Sequence, residues 1–484
     1  MNRSIRNVSV FTFVLVVILL VNLTWIQGFQ TSRYAENSLN SRQYYEMKSI
    51  PRGQISAGGQ VLAESEADED GFYTRDYPTT PASYGAVLGY LSDRYGASGI
   101  EASQNSILDG TDDSLFATRA WDTLTGKERR GANVELTLQP NVQQVAYDEL
   151  SSRGYSGSVV ALRPSTGEVL AMASTPSFDP SVVSSTDAAT ADAAFEELQA
   201  SPDAPLLNRS TQQTQPPGST FKLITTAAAL AAGDNADTMV NGESQITLPD
   251  TTTTLENYDG TSCGAPEVPL RTAFSRSCNT SFVDLVNRHG EESFRATAEG
   301  FGIGAEDDED FGLPIQNSTI GDIPDSAALS QSAIGQRDVA LTPLQNAVIA
   351  ATIANDGVRM KPHIIKQVTG SDLDVIQETR AEEAGRAIDS EVASQLTELM
   401  QGAEEYAGGS SDIASKTGTA EHGEDSRNSN PHAWYVAFGP AEDADVAVAV
   451  LVENGGDAGQ AATGGSVAAP IGRAVINAAL QEAQ

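Results

Sequence analysis

The sequence predicts an α+β fold behind a single membrane-spanning helix, with an α/β fold as the alternative. Three observations predict this architecture: an apolar N-terminal segment, pairs of short apolar runs that flank turn residues, and long alanine-rich segments. The first is typical of a membrane anchor, the second of paired strands and the third of helices. With 484 residues, of which 40% are hydrophobic, the chain can form two or three folded parts around a full-sized core.

The first element is an almost wholly apolar run from Val8 to Ile26. As a helix, this run can cross a hydrocarbon core of about 30 Å. Arg3 and Arg6 precede the run and no acidic residue does, which predicts a cytoplasmic N-terminus and an extracytoplasmic remainder. A cleaved signal peptide is the alternative, but the run is longer than usual for one and lacks a small-residue cleavage site. We therefore expect a cytoplasmic tail over residues 1–7 and a cell-membrane anchor over residues 8–27.

The next segment, residues 28–132, is predicted to be a small, extended, non-catalytic pedestal domain. Two short apolar runs, within residues 52–55 and 58–63, lie on either side of the turn at Gly58-Gly59 and predict a β-hairpin. Residues 64–71 predict an acidic loop, and residues 84–95 a helix with apolar side chains on one face. Nothing in this segment indicates chemistry.

Residues 133–484 are predicted to form the second domain, a sheet with flanking helices. Within it, residues 181–204 are rich in Ser, Thr, Asp and Ala and predict an exposed, loosely ordered insertion, and residues 306–310 predict a second acidic loop. The other predicted elements are a helix over residues 141–150, strands over 158–162 and 168–172, a buried helix over 221–232, strands over 434–439 and 446–453, and a closing helix over 468–483.

The chain has a net charge of −36, and only six of its 29 basic residues are lysines. The negative electrostatic field of such a chain repels the phosphates of nucleic acid, which excludes nucleic acid as a partner. Most of the charge is expected to form a solvated surface. Because salt screens repulsion between acidic groups, halotolerance is a further hypothesis. The four histidines are too scattered for a triad or a zinc motif, so no metal or cofactor is expected.

Three short strings carry the chemistry that the sequence predicts. They are S-x-x-K at Ser219–Lys222, S-x-N at Ser277–Asn279 and K-T-G-T at Lys416–Thr419. Each string alone is a weak signal, because a serine often caps a helix and K-T-G also occurs in ordinary strands. Their occurrence in this order, in a lysine-poor chain and beyond a membrane anchor, is specific.

The first string supplies a nucleophile and a base from one turn of one helix. The rigid turn at residues 216–218 cannot be helical, so a helix can begin at Ser219. The N–H groups and the positive end of the helix dipole would stabilise an oxyanion there. Lys222 follows three residues later on the same face, and a lysine in a dry pocket beside another cation can act as a base.

On these motifs the chain resembles the class B penicillin-binding proteins, which are membrane-anchored serine D,D-transpeptidases of peptidoglycan inhibited by β-lactams. The resemblance covers nearly the whole chain. Residues 52–55 are similar to the family's R-G-x-I and residues 167–172 to its G-E-[IV]-L-A-M, while Gly335-Gln336 and residues 342–345 are similar to its G-Q and T-P-L-Q. The short N-terminal part and the S-C-N triplet look most like the actinobacterial PbpA-type members. The resemblance implies a penicillin-binding transpeptidase domain, with an antiparallel sheet flanked by helices and an all-α subdomain.

The resemblance also implies a role for each residue of the first two motifs. Ser219 would attack the carbonyl between the last two D-alanines of a stem peptide and form an acyl-enzyme, and Lys222 would take its proton. Ser277 would relay protons to the leaving D-alanine. Asn279 would hold Lys222 and the amide of the acyl chain.

The third motif would hold the substrate. Lys416 and Thr417, helped by Thr419, would bind the terminal carboxylate, with Gly418 between them as part of the substrate-binding strand. Backbone N–H groups of Ser219 and Thr419 would form the oxyanion hole. An amine from a neighbouring strand would then complete the cross-link. The family further implies a membrane glycosyltransferase of the SEDS type as partner.

Cys263 and Cys278 are the two cysteines of the chain, fifteen residues apart. Outside the membrane they can pair, and closing a loop of this length stabilises a fold by about 3 kcal/mol in the chain-entropy model. Two buried thiols are the alternative. Pairing would pin the S-x-N motif, in which Cys278 replaces the family's usual aspartate.

Other readings of the same motifs remain open. A β-lactamase would be shorter and anchor-free, and would have a further carboxylate for deacylation. A D,D-carboxypeptidase shares the site and uses water as the acceptor. A non-catalytic scaffold of the wall-synthesis complex would not need the intact Ser219, Lys222 and Lys416, and a β-lactam-binding regulator would need a cytoplasmic or multi-span module.

Overall fold

The computed structural model describes residues 3–29, 48–79, 81–116, 126, 130–305, 311–422 and 429–482. The acidic loop predicted over residues 306–310 lies outside these residues. The helices are α1 Arg3–Phe29, α2 Pro81–Leu88, α3 Gly99–Ser103, α4 Asn105–Leu108, α5 Pro140–Ser151, α6 Pro180–Val183, α7 Ala188–Ala200, α8 Arg209–Gln212, α9 Lys222–Ala231, α10 Leu270–Arg276, α11 Asn279–Gly300, α12 Ser326–Ser332, α13 Pro343–Ala354, α14 Ser390–Tyr406 and α15 Ala469–Glu482. The strands are β1 Ile55–Ala57, β2 Gln60–Ala67, β3 Tyr73–Asp76, β4 Leu91–Ser92, β5 Gly96–Ala97, β6 Asn133–Leu136, β7 Gly157–Leu162, β8 Val169–Thr175, β9 Met239–Asn241, β10 Gln245–Thr247, β11 Thr254–Glu256, β12 Glu267–Pro269, β13 Val358–Met360, β14 Ile365–Thr369, β15 Val375–Glu378, β16 Glu383–Arg386, β17 Ala414–Ala420, β18 His432–Gly439 and β19 Val446–Val452.

Helix α1 contains the predicted anchor. Its stretch Ile5–Trp25 is mostly apolar, and its most apolar part is not buried against the rest of the protein. Within the described ranges, it is the one helix whose length and composition allow it to cross a membrane. The helix therefore fits a single-pass membrane protein.

The pedestal sheet has six strands in the order β15-β14-β6-β1-β2-β3. Strands β1 and β2 pair antiparallel around Gly58-Gly59, as the hairpin prediction required. The acidic loop predicted over residues 64–71 is wrong in its first half, because residues 64–67 belong to β2 and pair with β3. Pairing with β3 gives the backbone N–H and C=O groups of this acidic segment their hydrogen bonds. This gain outweighs the low preference of its residues for a strand. Strands β14 and β15 come from far along the chain, so long-range pairing joins the sheet to the second domain.

The helix predicted over residues 84–95 is shorter than expected. Helix α2 ends at Leu88, and Gly89 follows with φ of +68°, a left-handed conformation that stops a helix. Val87 and Leu88 are buried, as the predicted apolar face required. Leu91 lies in the short strand β4 instead.

The insertion predicted over residues 181–204 is ordered, which corrects the sequence reading. Asp187 caps α7 by accepting a hydrogen bond from the Thr190 N–H at 3.0 Å. The Phe195 ring stacks on the Tyr95 ring with a centroid distance of 3.9 Å. Alanine-rich composition favours the helix, and this aromatic contact with the pedestal holds it in place.

The central sheet of the second domain is antiparallel, with strand order β17-β18-β19-β7-β8. The predicted strands and helices of this domain lie where the sequence placed them, including α5, α9 and the closing helix α15. Alternate residues of β18 and β19 face two separate cores. One core contains α13 and α14 and the other contains α5 and α15. Strand β17, which carries the third motif, lies at the edge of the sheet.

Glu101 lies fully buried under the pedestal sheet between two arginines. Its carboxylate accepts hydrogen bonds from Arg52 Nε at 2.8 Å and Arg75 Nε at 2.5 Å. We expect Glu101→Ala to lower the free energy of unfolding by about 3–5 kcal/mol, because it leaves two guanidinium groups without a counter-charge. Urea unfolding of the detergent-solubilised chain measures this change.

The matched control is Glu149→Ala, which breaks the exposed pair of Glu149 with Arg153 at an i,i+4 spacing. An exposed pair of this kind stabilises by less than about 1 kcal/mol. Equal losses in the two variants would contradict the prediction.

Candidate active site

Ser219 lies in a tight turn that leads directly into a buried helix. Residues 218–221 form a single 3₁₀ turn, and α9 starts at Lys222. Every residue of α9 from Lys222 to Leu230 is buried, because the segment is apolar on nearly all sides. Ser219 itself is half-buried, so it lies at the border of the core rather than inside it.

The Lys222 side chain is fully buried and points to the second motif. Its Nζ donates hydrogen bonds to Ser277 O at 2.6 Å, Ser277 Oγ at 3.2 Å and Asn279 Oδ1 at 2.7 Å. Burial, and then the charge of Lys416, lower the pKa of Lys222 well below its usual range. A substantial fraction of neutral amine is therefore available at a lower pH than for an exposed lysine.

Lys416 approaches the same hydroxyl from the edge strand β17. Its Nζ donates to Ser277 Oγ at 2.9 Å and to Thr417 O at 3.0 Å. Burial lowers the pKa of Lys416 to about 7. In the described part of the chain neither Lys222 nor Lys416 forms a salt bridge. The Ser277 hydroxyl thus lies between two amines that no carboxylate neutralises.

The S-x-N motif forms the junction between two helices. Ser277 ends α10 in the left-handed conformation, with φ of 58° and ψ of 41°, and Cys278 caps α11. A left-handed serine costs roughly 1–2 kcal/mol, and such strain is found where the surrounding structure requires it. Here the conformation directs the Ser277 carbonyl and hydroxyl toward Lys222. The Asn279 Nδ2 donates to Glu256 O at 2.9 Å, which fixes the amide.

Gly418 allows the third motif to lie against the Ser219 turn. A Cβ atom at Gly418 would lie 2.9 Å from Pro217 O and 2.9 Å from Thr220 Cγ2, so only glycine permits this approach. Thr417 and Thr419 flank Gly418 and are both half-buried. The fold therefore brings the turn that holds Ser219, the S-x-N junction and strand β17 together.

The structure joins Cys263 and Cys278 in a disulfide, with Cα atoms 6.3 Å apart. Both residues are buried. The bond ties the loop after β11 to the residue between Ser277 and Asn279. It would hold this edge of the cleft in place.

We expect the chain to lose about 3 kcal/mol of stability when Cys263 and Cys278 are both replaced by serine, because a loop of fifteen residues is no longer closed in the unfolded state. Intact mass analysis of the unreduced chain after thiol alkylation checks the bond itself. Two alkylated thiols in protein from an oxidising compartment would contradict the pairing. The reduced and alkylated chain is the control.

The structure also places together two histidines that appeared scattered in the sequence. The rings of His422 and His432 stack at 3.8 Å, at the end of β17 and the start of β18. Burial, and then the charge of His422, lower the pKa of His432 to about 3. The register of the two strands places Ala420 opposite His432, which brings His422 close to the start of β18. Neither histidine contacts the motif residues through a hydrogen bond.

Acidic side chains close enough to share a cation occur away from the motifs. Among the described residues they are Glu64, Glu66 and Asp76, on the exposed pedestal sheet. Exposed acidic groups commonly lie this close without an ion. The lysine-lined cleft offers amines and hydroxyl groups instead, which is a poor donor set for a hard cation.

Two family models match the chain. Residues 157–477 match the penicillin binding protein transpeptidase domain, and residues 52–134 match the penicillin binding protein A dimerisation domain. The first match includes all three motifs.

Named relatives extend over the whole chain. It is 49% identical to the peptidoglycan D,D-transpeptidase PbpA of Mycolicibacterium smegmatis, over 100% of both chains. It is 48% identical to the protein of the same name from Mycobacterium tuberculosis, over 99% of both. Penicillin-binding protein A from M. tuberculosis, solved as a penicillin G acyl-enzyme complex, superposes with a TM-score of 0.86 at 49% identity. The superposition covers 90% of this chain and 100% of that one. The chain therefore belongs to the penicillin-binding protein transpeptidase family, as a class B member.

Proposed function

We propose that this chain is a peptidoglycan D,D-transpeptidase that forms an acyl-enzyme on Ser219, and that β-lactams inhibit it by acylating the same residue. The observation that carries the proposal is the convergence of Lys222 and Lys416 on the Ser277 hydroxyl, beside the turn that holds Ser219. The relatives named above as D,D-transpeptidases, and one solved as a penicillin G acyl-enzyme, support the same assignment.

Acylation would proceed by proton transfer between neighbouring groups. The Ser219 oxygen attacks the carbonyl between the last two D-alanines, and its proton passes to the neutral amine of Lys222. The C–N bond then breaks. Ser277, within hydrogen-bond distance of both lysines, passes a proton from Lys222 to the leaving D-alanine amine. In the second half, an acceptor amine attacks the acyl carbon, the bond between that carbon and the Ser219 oxygen breaks, and the proton lost by the amine restores the Ser219 hydroxyl.

Strand β17 would hold the donor peptide. Lys416 has its positive charge available at neutral pH and below, and Thr417 and Thr419 supply hydroxyl groups for the terminal carboxylate. Backbone N–H groups of Ser219 and Thr419 would stabilise the oxyanion by a few kcal/mol. Asn279 would orient the acyl-chain amide while it holds Lys222.

The placement of the chain in the cell follows from α1. We propose a single-pass arrangement with residues 1–7 in the cytoplasm, residues 8–27 in the membrane, a pedestal over residues 28–132 and an extracytoplasmic transpeptidase domain over residues 133–484. A membrane glycosyltransferase of the SEDS type would supply the glycan strands. Protease protection of inverted membrane vesicles checks the orientation, and co-purification of the full chain with such a polymerase checks the partner.

A cross-linking assay tests the proposed reaction. The full-length chain is incubated with glycan strands polymerised from lipid-linked precursor, and muropeptides are separated by mass. Dimers linked through D-alanine support transpeptidation. Release of D-alanine with shortened monomers and no dimers would instead indicate a D,D-carboxypeptidase, and no product of either kind would contradict the proposal.

The rate of penicillin acylation is expected to depend on pH through Lys222. Its neutral form is the base, so the rate falls as pH decreases through its lowered pKa. Lys416→Met removes a neighbouring positive charge, which raises the pKa of Lys222 and moves the ascending limb to higher pH. This shift of the ascending limb is expected below pH about 7, where Lys416 of the wild type is protonated and carries its positive charge. Acylation rates with a fluorescent penicillin across pH measure it.

The control for this prediction is Lys366→Met, a surface lysine paired with Glu135 at 2.8 Å. Its pH profile should match that of the wild type. An ascending limb that does not move in Lys416→Met would contradict the assigned coupling between the two buried lysines.

A further inference from the structure

A buried carboxylate lies behind the strand that carries the third motif. Glu404, near the end of α14, has 0% of its surface exposed. Its carboxylate accepts hydrogen bonds from Ser415 Oγ, from Tyr435 Oη at 3.0 Å and from Arg473 Nε at 2.6 Å. These four residues are here named the Glu404 cluster. No motif contains them, and the proposed reaction does not use them directly.

The cluster connects the motif strand to its surroundings on the side away from Ser277. Ser415 and Lys416 are consecutive in β17, so their side chains point to opposite faces. The Ser415 hydroxyl bonds to Glu404 on one face, and Lys416 Nζ bonds to Ser277 Oγ on the other. Any shift of Ser415 therefore moves the backbone from which Lys416 extends.

Strand β17 depends on such a contact because it is an edge strand. Its backbone pairs with β18 on one side, and among the described strands none pairs with its other side. An edge strand forms backbone hydrogen bonds with a neighbouring strand on one side only, so it is held less firmly than a central strand. The Glu404 cluster adds connections from β17 to α14, to Tyr435 of β18 and to Arg473 of α15.

The charges and hydrogen-bond donors of the Glu404 cluster match one another. Burial, and then the charge of Glu404, raise the pKa of Tyr435, so its phenol remains a hydrogen-bond donor. Burial alone would lower the pKa of Arg473, but its hydrogen bond and charge interaction with Glu404 raise it overall. The space is also filled, since a Cβ atom at Gly409 would lie 1.8 Å from Glu404 Oε1. A carboxylate at residue 404 thus has defined partners and no room to move.

We propose that Glu404 is a positioning residue for acyl transfer, which fixes β17 through Ser415 and so sets the place of Lys416 beside Ser277. The inference rests on the proposed function, because it assigns Glu404 a part in that reaction. A displacement near 1 Å at a catalytic centre can cost about 10²-fold in rate.

The test measures second-order acylation by a fluorescent penicillin in the full-length chain, across pH, for Glu404→Gln and Ser415→Ala. The amide would turn an N–H₂ donor toward donors, and the alanine removes the Ser415 donor while the Glu404 carboxylate and its other two donors remain. We expect each variant to acylate at least about tenfold more slowly. The ascending limb should also move to higher pH, because Lys416 no longer holds its charge beside Lys222. The double variant should lose no more than the worse single variant, since the two residues act as one unit.

The matched control is Glu101→Gln, which changes a carboxylate of equal burial in the pedestal. It should lower the unfolding midpoint yet leave the acylation rate and pH profile of the folded chain unchanged. Wild-type rates and pH profiles in Glu404→Gln and Ser415→Ala would overturn this inference alone, as would an equal loss in Glu101→Gln. Absence of labelling in the wild type would overturn both this inference and the proposed function.

Discussion

Replacing Ser219 with alanine is expected to abolish covalent labelling by a fluorescent penicillin, a loss of at least about 10³-fold in acylation rate. In the proposed reaction the acyl bond forms on the Ser219 oxygen, and the alanine has no atom to replace it. Lys222 and Lys416 would remain in place, so the fold and non-covalent binding of the drug should persist. Gel fluorescence and intact mass of the full-length chain, with peptide mapping of the labelled residue, measure the result.

The control for this prediction is Ser275→Ala, which removes another hydroxyl two residues before Ser277. Its oxygen donates to Arg271 O within its own helix, so labelling should equal that of the wild type. Labelling of Ser219→Ala at the wild-type rate, or acyl mass on a peptide without Ser219, would refute the assigned nucleophile. A wild type that no penicillin labels would refute the acyl-enzyme altogether.

Replacing Lys222 with methionine is expected to slow acylation by about 10³-fold. Methionine fills a similar volume in the pocket beneath Phe282 but has no amine to accept the Ser219 proton. Stopped-flow measurement of penicillin acylation gives the rate. Thermal unfolding of the same preparations verifies that the buried site has remained folded.

A second variant separates proton transfer from charge. Lys222→Arg keeps a positive charge in the cleft, but a guanidinium cannot be deprotonated in a protein. It should therefore be as slow as the methionine variant. Wild-type acylation by Lys222→Arg would show that Lys222 acts through its charge and is not the base.

Much of the architecture was predictable because its signals are local. The apolar run behind α1, the proline turn before α9 and the apolar pairs that became β7–β8 and β18–β19 each depend on neighbouring residues. Predictions from neighbouring residues were wrong where contacts between segments far apart in the chain decide the structure. The segment over residues 181–204 is ordered because α7 packs on the pedestal through the stacking of Phe195 on Tyr95. Residues 64–67 extend β2 because β3 pairs with them.

The motif residues were predictable as a set, because their order and spacing in a lysine-poor chain are specific. Their relative positions were not predictable, since 55 residues separate Lys222 from Ser277 and 139 separate Ser277 from Lys416. Glu404 was not identified from the sequence, because a single glutamate in an amphipathic helix is usually a surface residue.

The sequence by itself therefore predicted the membrane-spanning helix, most types of element and the residues of the three motifs, because each is encoded within one turn, strand or short string. Only the tertiary structure decided that two amines share the Ser277 hydroxyl, that Gly418 lies against the Ser219 turn and that a buried carboxylate holds β17 from behind. The physical reason is that burial and charge proximity, which lower the pKa values of both lysines, arise only when distant segments pack together.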